Sequence, residues 1–82
     1  MKINVLYFGI VRERLGRSEE TVELGEGATV DGLLTELSAR YEDIAAGAGS
    51  VRVAVNREYM DGSCPLRDGD EAAIIPPVSG GI

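Results

Sequence analysis

The chain has 82 residues, with Lys and Arg 8 against Asp and Glu 14 for a net charge of −6, and it is 44% hydrophobic. One small globular domain is expected, burying about 60–65% of the surface its unfolded chain exposes, with little room for an enclosed pocket. The acid surplus argues against nucleic acid and anionic membranes as partners, and no apolar run has bilayer length. With no histidine, imidazole triads and imidazole metal sites are excluded, so an acidic carrier or adaptor fits the composition better than a self-contained enzyme.

In chain order, residues 3–11 (Ile-Asn-Val-Leu-Tyr-Phe-Gly-Ile-Val) are rich in β-branched and aromatic types and predict a first strand. The charged Arg12-Glu13-Arg14 follows at once and there is no small-residue cleavage site, so the start reads as mature structure rather than a signal peptide. Arg12–Gly16 is one helical turn stopped by Gly16, and Glu20–Leu24 alternates as a half-buried second strand able to pair with the first. Gly25-Glu26-Gly27 marks a turn. Thr29 is a good N-cap for the clearest helix, in which Val30, Leu33, Leu34, Leu37 and Tyr41 share one face and Glu36 and Arg40 pair at i,i+4. Residues 45–50 (Ala-Ala-Gly-Ala-Gly-Ser) read as a flexible loop. Val51–Val55 predicts a third strand and Asn56-Arg57-Glu58 a turn. Asp61-Gly62 and Asp68-Gly69-Asp70 are further turns, and Glu71–Ile75 is a short last strand stopped by Pro76-Pro77.

Strand, strand, helix, strand, short strand is an α+β order: a mixed sheet with one main helix on one face, the β-grasp or ubiquitin-like arrangement. Residues 1–78 are expected to form this domain and residues 79–82 a flexible C-terminal tail. No repeat, linker or second domain is visible.

The chemistry points to the end of the chain. Glycines lack Cβ, so an extended Gly80-Gly81 segment can thread a channel too narrow for other residues and deliver a carboxylate to another protein's active site. A bare Gly-Gly is weak evidence. The stretch Pro65-Leu66-Arg67-Asp68-Gly69-Asp70-Glu71, the ending Pro76-Pro77-Val78-Ser79-Gly80-Gly81 and the opening Val5–Glu13 are far more specific. Together they resemble the small subunits of molybdopterin synthase, ubiquitin-like sulfur carriers, along essentially the whole chain. The resemblance implies that an adenylating enzyme, using ATP, activates the carboxylate of Gly81. A sulfur donor then displaces AMP to leave a glycyl thiocarboxylate. The synthase's large subunit passes the sulfur to a pterin precursor during molybdenum cofactor biosynthesis. The acid–base groups would belong to the partners, no cofactor or metal would be bound by the chain itself, and the chain would be a non-catalytic subunit. The resemblance also implies a docking face of Phe8, Tyr59 and Ile75, with Arg12 at a charged interface position and Pro76, Pro77, Val78 and Ser79 leading the tail into the partner.

Blander readings stand beside these. Phe8, Tyr59 and Ile75 can equally be core residues, and Arg12 a solvated arginine. Cys64 has no neighbouring histidine to activate it and reads as an inert thiol. A single cysteine makes no internal disulfide, which favours a reducing, cytoplasmic location. Asp68, Asp70 and Glu71 do not have the spacing of a calcium loop and read as turn chemistry. The same fold and tail would also serve a sulfur carrier for thiamine, cysteine or tRNA thiolation, a ubiquitin-like modifier, or a binding module with an inactive tail. The family pattern stops at Gly-Gly, whereas here Ile82 follows. Its β-branched side chain suits a glycine channel badly, so three readings arise: removal by a protease, an artefact, or lost carrier activity, with removal placed first.

Overall fold

The computed structural model describes residues 1–47 and 50–77. It contains β1 (Lys2–Tyr7), α1 (Gly9–Leu15), β2 (Glu19–Glu23), α2 (Val30–Arg40), α3 (Glu42–Gly47), β3 (Arg52–Val55), β4 (Glu58–Met60) and β5 (Glu71–Ile75). The strands form one sheet in the order β2-β1-β5-β3-β4. The central β1–β5 pair is parallel, with Val5 opposite Ala72 and Tyr7 opposite Ile74, and the other pairs are antiparallel. This is the mixed β-grasp sheet expected from the element order.

Strand alternation sends Ile3, Val5 and Tyr7 of β1, Val22 of β2, Val53 and Val55 of β3 and Ala72 and Ile74 of β5 to one face. There they meet Val30, Leu33 and Leu37 of α2. Leu33 and Leu37 are fully buried, each contributing about 1.5–3 kcal/mol by leaving water. Helix α2 starts where the sequence places its cap: the Thr29 hydroxyl accepts the Gly32 N–H at 3.3 Å. The Glu36–Arg40 pair also forms, at 2.9 Å. The loop before β5 closes this end of the helix, since the N–H groups of Val30 and Asp31 donate to the carbonyls of Cys64 and Gly62. The Asp68-Gly69-Asp70 turn ties β5 to β1: Asp68 accepts the Lys2 N–H at 2.6 Å, and the Gly69 N–H donates to the Lys2 carbonyl at 2.8 Å.

Three expectations are corrected. The first strand stops at Tyr7; residues 9–11 belong to α1, not to a strand running to residue 11. Gly9 has φ +55°, which breaks the extended chain, and the helix buries Val11 against the core. The helix ends, as its glycine suggests, with Gly16 left-handed at φ 73° and its N–H on the Arg12 carbonyl. The stretch from Ala45 to Gly47 is not loop but part of α3, held down by the buried Ile44; one buried residue is too faint a period to read. Finally, β4 is a separate strand that the order of elements omitted. It has three residues, all exposed, and pairs on one side only.

Candidate functional site

Among the described residues, none covers the face of the sheet opposite α2. The residues alternating with the core set point there: Leu6 of β1, Ala73 and Ile75 of β5, Ala54 of β3 and Tyr59 of β4. Register aligns Leu6 with Ala73, Ala73 with Ala54, and Ala54 with Tyr59 in one row across four strands. Phe8 continues the parity of Leu6 just past the end of β1. Together with Arg57 and Glu71 these residues line a shallow groove of about 390 Å³. Phe8 is 41% and Tyr59 59% exposed, unusual for large apolar side chains, whereas Ala54 and Ala73 form a nearly closed floor. The floor is small and the walls are aromatic, so the groove accepts an apolar projection from another surface.

A second hollow adjoins the groove through Tyr59 and Ile75 and is completed by Val51, Arg52, Pro76 and Pro77. The chain therefore leaves β5 beside the apolar groove. Gly9 makes this exit possible: an added Cβ would lie 3.0 Å from Cγ of Pro76. The first proline past the sheet thus rests against the start of α1.

Phe8, Tyr59, Ile75, Pro76 and Pro77 are brought together on one side of the molecule. Arg12, exposed on α1, makes no ion pair among the described residues. Val78, Ser79, Gly80 and Gly81, and with them the tail assigned to residues 79–82, lie outside the described residues. Cys64 is half-buried in the loop that caps α2. Sequence reasoning missed Leu6, Ala54 and Ala73, the floor of the groove, along with Gly9, Arg52 and Arg57 around it. Strand parity was the available signal, since Leu6 and Phe8 share a side, as do Ala73 and Ile75.

On the opposite face, Glu20 forms a polar cluster. Its Oε2 accepts the hydroxyls of both Tyr7 and Tyr41 at 2.6 Å, and its Oε1 accepts from Arg17 at 3.1 Å. The tyrosine rings meet edge to face. Burial pushes the Glu20 carboxyl pKa up, but the two hydroxyls and the Arg17 charge outweigh it and the net shift is downward. Burial, then the Glu20 hydrogen bond, pushes the Tyr7 phenol far above its ordinary range. The cluster joins β1, β2 and the end of α2, away from the groove. Among the described residues no group of three or more acidic, Cys or His side chains is placed to hold a metal, and no helix is long and apolar enough to cross a membrane.

A β-grasp sheet with a bare apolar face beside the exit of its last strand defines a ubiquitin-like docking domain. The chain belongs to the ThiS family, whose profile matches residues 5–81. It is 43% identical to the molybdopterin synthase sulfur carrier subunit of Chlamydomonas reinhardtii, over 99% of this chain and 100% of that one. It is 42% identical to the protein of the same name from Mycobacterium tuberculosis, over 99% of each chain. Among solved structures it is similar to a putative molybdopterin converting factor subunit 1 from Pyrococcus furiosus, with 35% identity and TM-score 0.86, covering 95% of this chain and 99% of that one. The resemblance read from Pro65–Glu71 and the Pro-Pro-Val-Ser-Gly-Gly ending therefore holds along the whole chain.

Proposed function

We propose that the chain is the sulfur-carrier subunit of a molybdopterin synthase, bearing sulfur on Gly81 as a thiocarboxylate. The observation that carries this reading is the continuity of the apolar groove with the Pro76-Pro77 exit: a partner seated on Phe8, Tyr59 and Ile75 receives the residues that follow. End-to-end similarity to proteins named as sulfur carrier subunits supports it. Their description as subunits of a synthase supports a larger catalytic subunit as the partner.

The chemistry follows from the carboxylate. A carboxylate is a poor acyl donor because its oxygen is a poor leaving group. In an adenylating partner, the Gly81 carboxylate attacks the α-phosphorus of ATP and pyrophosphate departs. The terminal sulfur of a persulfide then attacks the acyl carbon and AMP leaves. A second thiol cleaves the sulfur–sulfur bond, leaving the thiocarboxylate and a disulfide. This chain contributes the docking face and the threaded glycines, and ATP remains the partner's substrate. The reducing cytosol suits a thiocarboxylate and the single free cysteine.

Gly81 is followed by Ile82, so its carbonyl is a peptide amide until that bond is hydrolysed. Cleavage of the Gly81–Ile82 bond by a peptidase therefore precedes activation. The test is the intact mass of the protein purified cold and without reductant from its own host. The expected species ends at Gly81 with one carboxyl oxygen replaced by sulfur. In a reconstituted reaction with ATP, the activating enzyme and a sulfur donor, the form ending at Gly81 is expected to gain sulfur and its Gly81→Ala variant to gain none. A Gly81-terminated form that stays an ordinary carboxylate overturns the carrier reading, and isopeptide adducts on lysines would replace it with a modifier.

A further inference from the structure

We infer that Arg57 is a specificity-determining docking residue, and that the partner surface carries a carboxylate opposite it at the rim of the apolar groove. This deepens the carrier reading and rests on it. Two independent features of Arg57 support the inference.

The first is its backbone. Asn56 and Arg57 alone connect β3 to β4, with Val55 and Glu58 paired on either side. Both have positive φ, 50° at Asn56 and 72° at Arg57. Two-residue hairpin turns with two positive φ angles favour Asn followed by Gly. Asn56 fits this pattern and is further held by hydrogen bonds with Asp70 and the Glu71 N–H. Arg57 does not fit, because it occupies the glycine position with a Cβ and a long side chain. Backbone strain of this kind is retained where the side chain has a use.

The second is where that side chain lies. Arg57 is exposed and lines the groove with Phe8, Tyr59 and Ile75. Glu71, the one carboxylate lining the same groove, does not pair with it, and Arg57 has no ion-pair partner among the described residues. Arg52 flanks the same patch, its guanidinium 5.2 Å from the centre of the Tyr59 ring. A chain of net charge −6 thus sets two cations, neither with an ion-pair partner among the described residues, beside its bare apolar face. The local charge is the reverse of the global one. An uncharged or basic partner surface would leave Arg57 desolvated without compensation, whereas an acidic one pairs with it and steers the encounter.

The test measures stability and binding on the same variants, using the larger synthase subunit from the same organism as probe. Arg57→Gly relieves the turn and is expected to raise Tm by a few degrees. The same variant is expected to bind about fivefold or more weakly at low salt, mainly through slower association, with the difference shrinking below about twofold at 0.5 M salt. Arg57→Lys keeps the charge and is expected to keep most of the affinity. Arg67→Gln, an exposed arginine outside the groove, is expected to bind like the wild type. Equal affinity of the wild type and Arg57→Gly overturns the inference alone, as does a loss unaffected by salt or a fall in Tm for Arg57→Gly. A wild-type chain that does not bind the subunit at all overturns the carrier reading, and this inference falls with it.

Discussion

Replacing Glu20 with alanine is expected to lower the free energy of unfolding by about 2–4 kcal/mol, a large share of the roughly 4–12 kcal/mol that a domain of this length possesses. Two tyrosine hydroxyls donate to one oxygen of this carboxylate, and Tyr7 is itself fully buried. Alanine takes from the Tyr7 hydroxyl the acceptor it has in a partly buried site. That is costlier than never having made the bond. It also unfastens Tyr41, the residue that closes α2, from β2. Urea denaturation of the variant checks the magnitude, and a loss below 1 kcal/mol would mean that water or a neighbour replaces the carboxylate.

The same cluster sets the pH dependence. The folded-state pKa of Glu20 lies below its ordinary value of 4.5, so the folded protein takes up that proton less readily than the unfolded chain. The stability it contributes is whole above about pH 5 and is lost as pH falls through the folded pKa. Tyr7 and Tyr41 shift upward, so their contribution is whole below about pH 10 and is lost as pH rises above it. A Glu20→Gln variant keeps an acceptor but no charge. Its urea midpoint is expected to lie below that of the wild type at pH 7 and to converge with it as pH falls through the folded-state pKa of Glu20. A gap that stays constant across that range would remove Glu20 from the acid response.

This cluster also shows where the sequence was legible and where it was not. Glu20, Val22 and Leu24 share strand parity, which places Glu20 on the inward side of β2. The abundance of acids hid it among solvated ones, and nothing local shows that two tyrosines distant in sequence converge on it. Elements with strong periods were readable: the apolar face of α2 from Val30 to Leu37, the Thr29 cap and the alternation of β2 and β3. Elements decided by tertiary contacts were not. The β-branched Ile10 and Val11 argue locally for strand, but the turn at Gly9 and burial of Val11 override them. Strand β4 is too short and too exposed to carry a pattern. Phe8, Tyr59 and Ile75 could be named from family resemblance, but not Leu6, Ala54 and Ala73. Small floor residues have no chemistry of their own and become visible only once four strands are set in register.

Gly9→Val is expected to impair both stability and the hand-over of the chain end, through two separable causes. A β-branched residue at φ +55° is strained wherever it sits, by about 1–3 kcal/mol. Its Cβ would also stand 3.0 Å from the Pro76 ring, closer than carbon atoms settle, and the Val methyl groups have to be housed in the same space. Pro76 is the first residue beyond β5, so a displaced ring changes where the chain leaves the sheet relative to Phe8 and Tyr59. On the proposed carrier function, the sulfur-transfer step should therefore slow by more than the lost stability explains, with docking through the groove largely kept. Replacing Pro76 with alanine removes the obstructing ring but not the backbone strain. In that background Gly9→Ala is expected to cost about 0.5–1 kcal/mol less than in the wild type, a coupling that a double-mutant cycle reads directly. Sulfur transfer by the Gly9→Ala and Pro76→Ala double variant should match that of Pro76→Ala alone. Equal slowing by Gly9→Ala in both backgrounds would mean that Gly9 acts through the geometry of α1 and not through the path of the chain past Pro76.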